Sequence, residues 1–431
     1  MTRVTRMGLC VCGPRSFRSF STARRLLDEY KCVAVNEAES FIERCMRSVG
    51  TPDQHCRALS QALVAGDVRG HFSHGLNRLE MYVHDIEVGT TALEGKPEIV
   101  KETTATALVE GNNLLGPVVA NFCNEMAMKK AKDTGVGWVA CRGSNHYGIA
   151  GWYTMKAGMS FTNTSPLIVP TRARECWFLS TIRNYKKAKN KDVFVTVSVV
   201  LHGKMFEEET LMPLDNPNTL IIKPLLSLTA AKCLLSNQVT LGTNPLSVAA
   251  PGKNGDSFVL DMATSCVALG KIEMAKRKGV EMPHGWGVDS KGQETLDPEK
   301  VLSGGGQLPL GGMELTSGFK GYGLAMMVEV FCGILADAAF GPEIRKWKGD
   351  ERVANLGQCF VAINPSAFAP GFEDRLQMEG ETSVLVAGDP ERIHMRKVEQ
   401  DGGISYHINL MDAMDKLADR LNVAPMPTIK E

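Results

Sequence analysis

The stretch Gly137-Trp-Val-Ala-Cys-Arg-Gly-Ser-Asn-His-Tyr-Gly148 joins an apolar run to a polar turn. It is continuously apolar from Trp138 to Cys141, which predicts a buried strand over residues 137–142. Residues 143–148 begin and end with glycine and predict a loop at the carboxyl end of that strand. Ligands of open α/β sheets bind beyond the carboxyl ends of strands, so His146 lies where a catalytic acid or base is expected. The alternative is a structural histidine.

The flanking sequence alternates helical and strand patterns, which predicts a mixed α/β or α+β enzyme. Residues 303–323 are rich in glycine and are predicted to form a loop, and residues 86–111 are predicted to form short strands. The other predicted helices cover residues 36–49, 53–66, 117–132, 150–157, 324–339 and 412–421, and one more carries Leu79 and Tyr82. The other predicted strands cover residues 159–165, 247–251, 258–262, 358–363 and 383–387.

Two common nucleotide-binding motifs are excluded. The chain contains no G-x-x-x-x-G-K-[ST] sequence, and so no P-loop. Gly135-Val-Gly-Trp-Val-Ala140 has the letters of G-x-G-x-x-A, but it follows a predicted helix and opens a predicted strand. A Rossmann fingerprint requires the reverse order, so this stretch is rejected as one.

Charge is balanced overall but unevenly distributed. The 431 residues include 48 basic and 48 acidic side chains, and their number predicts two or three domains. Residues 1–27 contain six arginines, several serines and no acid, which predicts a mitochondrial transit segment; a basic tail without a role, on a cytoplasmic protein, is the alternative. The remainder carries a net charge of −6, which argues against nucleic acid as a partner. No apolar run approaches the roughly 18 residues of a membrane helix.

The cysteines and histidines do not predict a metal site. Twelve cysteines are scattered without a C-x-x-C pair, and the nine histidines include no H-E-x-x-H. His71 and His74 are three residues apart, but no acidic or thiol side chain follows at ligand spacing. We therefore expect buried free thiols and no metal ion.

Two further segments carry candidate chemistry. The loop from residue 69 to residue 78 contains Ser73, His74 and Arg78. A 2-keto or 2-hydroxy acid needs an arginine fork for its carboxylate and a group of near-neutral pKa for its hydroxyl proton. A capped turn with a solvated histidine and arginine explains the same residues equally well. Lys320 lies among glycines ahead of a predicted helix and either meets an anion or is solvated.

One segment differs from its surroundings. Residues 176–240 contain a basic cluster, the apolar β-rich run at 194–201 and an acidic cluster, without a pattern that links them to their neighbours. The interpretation is a surface insertion.

Together these stretches resemble the type-2 malate/L-lactate dehydrogenase family, which includes ureidoglycolate and sulfolactate dehydrogenases and piperideine-2-carboxylate reductase. Six motifs follow in family order between about residues 33 and 421: Asp67-Val-Arg-Gly-His-Phe-Ser-His-Gly-Leu-Asn-Arg78, Gly143-Ser-Asn-His-Tyr-Gly-Ile-Ala-Gly151, Ser160-Phe-Thr-Asn-Thr-Ser-Pro166, Leu241-Gly-Thr-Asn-Pro245, Phe258-Val-Leu-Asp-Met-Ala263 and Gly318-Phe-Lys-Gly-Tyr-Gly323.

The resemblance implies an α+β fold that binds NAD or NADP without a Rossmann unit. It implies a helical portion for substrate and dimer contacts, residues 28–90 with 324–431, and an α+β cofactor portion, residues 91–323, which contains the insertion. It also implies homodimers and hydride transfer between NAD(P) and a small 2-hydroxy or 2-keto acid of malate or lactate type.

The resemblance also implies roles for single residues. His146 would be the catalytic acid/base, Ser73 and His74 would line the substrate, and Arg78 would hold its carboxylate. The residues implied to contact the cofactor are Ser165, Asp261, Met262, Ala263 and Lys320, together with a late loop at residues 388–391 that begins with Gly388.

Three departures from the family pattern affect the expected function. Some relatives carry Asp where this chain has Pro166, which leaves the substrate open. Residues 176–240 interrupt the pattern, and several usual residues are missing between Ala157 and Gly158. We hypothesise that the last two departures are errors of the gene model or of splicing. The alternatives for function are a cyclic-imine reductase and a non-catalytic isoform that these two departures disable.

Overall fold

A mixed sheet organises the molecule. The computed structural model describes residues 29–159, 195–200, 241–251, 257–345, 352–376 and 386–429. Within them, seven strands form one sheet in the order β2-β3-β4-β10-β5-β6-β7; β3 and β4 are parallel and the other neighbours are antiparallel. These strands are β2 (Glu98–Glu102), β3 (Thr106–Glu110), β4 (Val136–Ser144), β5 (Val195–Val200), β6 (Leu246–Pro251), β7 (Ser257–Met262) and β10 (Leu356–Ile363).

Two small sheets and the helices complete the described fold. β1 (Tyr30–Val33) pairs with β11 (Ile404–His407), and β8 (Gly287–Val288) pairs with β9 (Gly306–Gln307). The helices are α1 (Val35–Ser48), α2 (Asp53–Val68), α3 (Leu79–Glu87), α4 (Gly116–Thr134), α5 (Ala150–Met159), α6 (Leu269–Lys278), α7 (Pro298–Leu302), α8 (Gly318–Val328), α9 (Phe372–Arg375), α10 (Asp389–Gln400) and α11 (Ile408–Leu421). No helix of the described ranges is long and apolar enough to cross a membrane.

Helix α4 lies directly on strand β4. Gly135 ends the helix with a φ of +84°, a conformation that favours glycine, and the chain turns at once into β4. A Cβ on Gly137 would lie 2.0 Å from the carbonyl oxygen of Ala127, so a glycine is required where helix and strand approach. The predicted strand and the rejection of a Rossmann fingerprint are both confirmed.

A second core joins the two ends of the chain. Phe41 of α1, Leu59 of α2 and Tyr82 of α3 are buried with Tyr406 of β11 and Met414 of α11. The predicted division into residues 28–90 with 324–431 and residues 91–323 stays a prediction. β10 falls in the first of these ranges but pairs with β4 in the large sheet.

Several predicted boundaries are wrong. Helix α8 begins at Gly318, inside the predicted loop, and continues as a π-helical segment from Glu329 to Ile334. Tight packing explains the glycines in this helix, because a Cβ on Gly321 would lie 2.2 Å from the carbonyl oxygen of Leu310. Helix α5 continues past Gly158, and α3 extends into the region predicted as strands.

The interpretation of residues 176–240 as a surface insertion is wrong for one part. β5 pairs with β10 on one side and with β6 on the other, inside the large sheet. Within the apolar β-rich run, Val195–Val200 therefore forms an interior strand of the sheet, because it is paired on both sides. The transit segment, the strand predicted at 159–165 and most of the strand predicted at 383–387 lie outside the described residues.

Proline substitution distinguishes an interior strand from an edge strand. We expect Val197→Pro in β5 to lower stability by about 3 kcal/mol or more, because β5 is paired on both sides. The matched control is Val100→Pro in edge strand β2, at a register irregularity, where the loss should be much smaller. Thermal unfolding measures both variants. Equal melting temperatures would contradict the interior position of β5.

Candidate active site

Two short turns after helix α2 present the predicted substrate residues. Phe72–His74 and Leu76–Arg78 are single turns of 3-10 helix between α2 and α3. Asp67, which is fully buried, accepts hydrogen bonds from the Leu76 backbone N–H at 2.8 Å and from the Tyr406 hydroxyl at 2.8 Å. This carboxyl group connects the loop to β11 and fixes its shape.

Ser73, His74 and Arg78 lie together in these turns. The Ser73 hydroxyl is 2.8 Å from Nδ1 of His74, and Nε of Arg78 donates to the Ser73 carbonyl oxygen at 2.6 Å. Arg78 is 93% buried, and this burial lowers the pKa of its guanidinium, although Glu273 opposes the shift. A guanidinium this poorly hydrated binds a carboxylate more strongly than an exposed one does.

His146 lies behind His74. The two imidazole rings stack with centroids 5.7 Å apart and planes at 22°. The Tyr82 hydroxyl is hydrogen-bonded to Nδ1 of His146 and lies 3.3 Å from the His146 carbonyl oxygen. Burial raises the pKa of Tyr82, so its phenol stays neutral and can donate one hydrogen bond.

A buried polar network holds the turn that carries His146. The Asn145 side chain donates to the Asp85 carboxylate at 3.2 Å and to the Thr91 hydroxyl at 2.7 Å, and its oxygen accepts the His146 N–H at 2.8 Å. Arg345 forms an ion pair with Asp85 at 2.6 Å, and both side chains are almost fully buried. A network of this kind fixes the backbone before and at His146.

A cavity of about 490 Å³ opens beside these residues. Its lining includes Ser73, His74 and Arg78 together with Asp261, Met262 and Ala263, all of which the sequence predicted. The start of helix α6 and residues 265–268 complete the lining. The volume lies in the range of small-ligand sites. Within the described ranges, no group of three or more metal-ligating side chains is present.

Charged groups surround Asp261 at one end of the cavity. Its carboxylate accepts the Gly151 N–H at 2.6 Å, and burial raises its pKa, although His71 and Arg69 oppose the shift. His71 also lies 3.3 Å from Glu391 of α10. Strand β7, helix α5 and the loop at 67–78 therefore meet at this carboxylate.

Two residues implied to contact the cofactor, and the predicted acid/base His146, do not line the cavity of the described residues. Lys320 is exposed on α8, with its ammonium 5.9 Å from the centre of the Phe319 ring. Gly388 is buried at the start of α10 and packs on Val259 of β7, so the late loop is the first turn of a helix. Ser165 lies outside the described residues.

Sequence reasoning did not identify the buried side chains that contact His146 and Asn145. Tyr82 was recognised only as a helical residue, and Asp85 and Arg345 were not recognised at all. A buried position on one face of α3 is the only signal that marks Tyr82 and Asp85 in the sequence, and no sequence pattern marks Arg345.

These features define an enzyme with a cationic pocket for a small acid, on an α+β fold. A family model described as malate/L-lactate dehydrogenase matches residues 33–180 and 230–415. The chain therefore belongs to the malate/L-lactate dehydrogenase family, as the six motifs predicted. The match leaves residues 181–229 uncovered, inside the segment recognised as atypical.

Individual relatives agree with this membership. A malate dehydrogenase of Pyrococcus abyssi is 34% identical over 350 residues, 80% of this chain and 78% of that protein. A malate/(S)-sulfolactate dehydrogenase of Methanothermus fervidus is 31% identical over 406 residues, 91% of this chain and 98% of that protein. The solved structure of malate dehydrogenase from Pyrococcus horikoshii OT3 superposes with a TM-score of 0.69 at 27% identity, covering 93% of this chain and 98% of that one. The predicted α+β fold and the dehydrogenase class are confirmed.

The buried ion pair behind His146 predicts a large effect of a single substitution. Arg345→Met leaves the Asp85 carboxylate buried without its cation, and we expect a loss of about 3–5 kcal/mol. The matched control is Lys397→Met, which breaks the exposed pair with Asp401 and should cost less than about 1 kcal/mol. Chemical denaturation of both variants measures the difference, and a loss below about 1 kcal/mol for Arg345→Met would contradict a structural role of the pair.

Proposed function

We propose that this chain transfers a hydride between NAD or NADP and a small 2-hydroxy or 2-keto acid of malate or lactate type. The observation that carries the proposal is the cavity wall that joins buried Arg78 to Ser73 and His74, with His146 stacked behind it. Arg78 binds the substrate carboxylate. Ser73 and His74 orient the oxygen that becomes hydroxyl or carbonyl.

Other residues of the cavity lining supply groups that fit a nicotinamide cofactor. Asp261 offers a carboxylate, and Thr243 and Ser265 offer hydroxyls, which are the partners that a ribose diol requires. Gly70 and Gly148 line the cavity without side chains, both at a φ of +84°, and leave room for a ligand. When bound, the nicotinamide supplies or accepts the hydride.

His146 moves the substrate proton in this proposal. When its Nδ1 carries a proton, Nδ1 donates to the Tyr82 oxygen and the phenol donates to the His146 carbonyl oxygen. Nε2 then bears the lone pair that accepts the hydroxyl proton during oxidation. His146 is 1% exposed and stacks on His74, which lines the cavity, so burial limits the exchange of its proton with solvent.

Two alternative functions can be distinguished by which substrate is reduced and by whether the cofactor binds. A cyclic-imine reductase uses the same carboxylate clamp and reduces a cyclic imino acid instead of a keto acid. A non-catalytic isoform folds but binds no cofactor. Fluorescence titration of residues 28–431 with NADH and NADPH, followed by oxaloacetate, pyruvate or a cyclic imino acid, separates the three functions. Reduction of a keto acid supports the proposal, and folded protein without binding or turnover overturns it.

Substitution of the proposed acid/base gives a sharper prediction. We expect His146→Ala to lower kcat by about 10²–10⁴-fold while NADH or NADPH still binds, because the residue handles the proton and not the cofactor. His284→Ala, at an exposed histidine paired with Glu294, is the matched control and should keep full activity. Retained turnover in His146→Ala would exclude this assignment.

We also propose that the protein forms a homodimer through helix α8 and the segment that follows. Phe319, Met327, Val330 and Ile334 are exposed along this helix at intervals of three to eight residues, and Ile334 is 51% exposed. Together they form an apolar surface, here called the α8 stripe, and contiguous surfaces of this kind mark protein contacts. The resemblance to homodimeric dehydrogenases supports a second copy of the chain as its partner.

A charge in the α8 stripe tests the dimer. We expect Ile334→Asp to convert the dimer to a monomer in light scattering coupled to size exclusion, because the charge would be buried at the contact. Ile393→Asp on α10, at a similarly exposed isoleucine, is the control and should remain dimeric. A wild-type monomer, or an unchanged mass for Ile334→Asp, would refute the contact.

For location we keep the proposal of a mitochondrial protein, supported by the arginine-rich, acid-free residues 1–27. A fluorescent fusion of residues 1–27 imaged against a mitochondrial marker tests it, and diffuse cytoplasmic signal overturns it.

A further inference from the structure

Asp67 is a carboxyl group that the proposed chemistry does not use. It lies near the end of α2, fully buried, and among the described residues it receives two hydrogen bonds, from Leu76 and Tyr406. Its other oxygen, Oδ1, is buried and has no hydrogen-bond partner among the described residues. A buried polar atom without a partner is uncommon and calls for a reason.

The surroundings of Oδ1 link it to the substrate residues. A Cβ added to Gly75 would lie 1.8 Å from Oδ1, so the carboxyl group packs directly on the backbone between the two short turns. The first turn ends with His74 and the second ends with Arg78. A change in this one contact therefore moves both substrate-facing turns relative to α2.

We propose that Asp67, in its neutral form, is the positioning residue that holds the substrate loop, residues 72–78, in its binding shape. This inference rests on the proposed function, because that function assigns the substrate to Ser73, His74 and Arg78. Asp67 touches neither substrate nor cofactor and acts through the backbone of Gly75 and Leu76.

The electrostatic setting favours the neutral form. Burial raises the pKa of Asp67 to about 7, against the hydrogen bonds from Leu76 and Tyr406. Tyr406 of β11 is the titratable group that faces it, and its phenol is neutral because burial raises its pKa as well. From α10, His394 contacts the Val68 carbonyl oxygen and the Phe72 ring. No cation among the groups that shift the pKa of Asp67 compensates a negative charge there.

Ionisation of Asp67 therefore weakens both the fold and the loop. A carboxyl group whose pKa is higher in the folded protein than in the unfolded chain costs stability as pH rises from the unfolded value, 3.8, to about 7. Above that pH the carboxylate is negatively charged, and its Oδ1 packs on the Gly75 backbone without a hydrogen-bond partner among the described residues. The loop then opens more often, and Arg78 holds the substrate carboxylate less well.

Stability measures the ionisation without reference to activity. Asp67→Asn keeps an acceptor for Leu76 and Tyr406 but cannot ionise. We expect the melting temperature of the wild type, relative to Asp67→Asn, to fall between pH 4 and pH 7 and then level off. Tyr406→Phe removes a donor, so the fall should begin at the same pH and extend to higher pH. Parallel melting curves of wild type and Asp67→Asn across this range would overturn the proposal.

Hydrogen exchange and kinetics measure the loop. Between pH 6 and pH 8.5 we expect exchange in the peptide that contains residues 72–78, corrected for the intrinsic pH effect, to rise in the wild type but not in Asp67→Asn. Over the same range the KM for the keto acid should rise more in the wild type than in Asp67→Asn. Asp67→Ala should raise KM by about tenfold at pH 6 with a smaller change in kcat.

A matched variant separates positioning from general destabilisation. Ile404→Ala creates a cavity in the same core, two residues from Tyr406 on β11, without touching Asp67. If Ile404→Ala raises KM as much as Asp67→Ala does, the role of Asp67 is merely structural and the proposal fails. If the wild type reduces none of the acids, the proposed function fails, and melting and hydrogen exchange still decide whether Asp67 controls the loop.

Discussion

The site depends on the close approach of helix α4 to strand β4 and to the turn that follows it. Glycines permit this approach at both ends. Gly137 meets the backbone of α4 near the start of the strand, and a Cβ on Gly116 would lie 2.2 Å from the carbonyl oxygen of His146. Because backbone packs on backbone at both points, the turn with Asn145 and His146 has little freedom to shift. The stacked ring of His74 therefore meets a fixed partner.

Buried polar groups restrict the same turn from the other side. Asp85, Asn145 and Arg345 come from α3, from the residue after β4 and from residues after the π-helical segment, and hydrogen bonds link them in the interior. Such networks contribute little net stability compared with apolar packing, but they permit few alternative arrangements. An enzyme needs its acid/base placed to within about 0.5 Å, and a directional network provides this better than apolar contacts do.

The parts of the site that the sequence predicted are those encoded by local patterns. The apolar run before His146, the loop with Ser73 and Arg78 and the strand that ends at Met262 are each recognisable from a short local pattern. The structure brings the loop and the end of that strand to one cavity, together with Gly148 and Ile149, which follow His146. Long-range contacts have no such pattern. Arg345 lies 260 residues from Asp85, and nothing near it in the sequence indicates burial. The start of α8 was missed because its glycines, which serve packing, have the composition of a loop.

Strand β5 is a part of the fold that local sequence patterns did not predict, and contacts outside it also hold the site together. β5 lies inside the segment 181–229, which the family model does not match, and the sequence predicted a surface insertion there. Among the described strands of the large sheet, however, β5 is the one that lies between β10 and β6. The arrangement of the residues that line the cavity does not depend on β5 alone. Helix α5 follows His146 in sequence, and Gly151 donates to Asp261 of β7 while Thr154 bonds to Ser247 of β6. These contacts join the helix that follows His146 directly to strands β6 and β7. The geometry of the site is therefore determined by α5 as much as by the sheet, and an atypical strand in the middle of that sheet is compatible with an intact cavity.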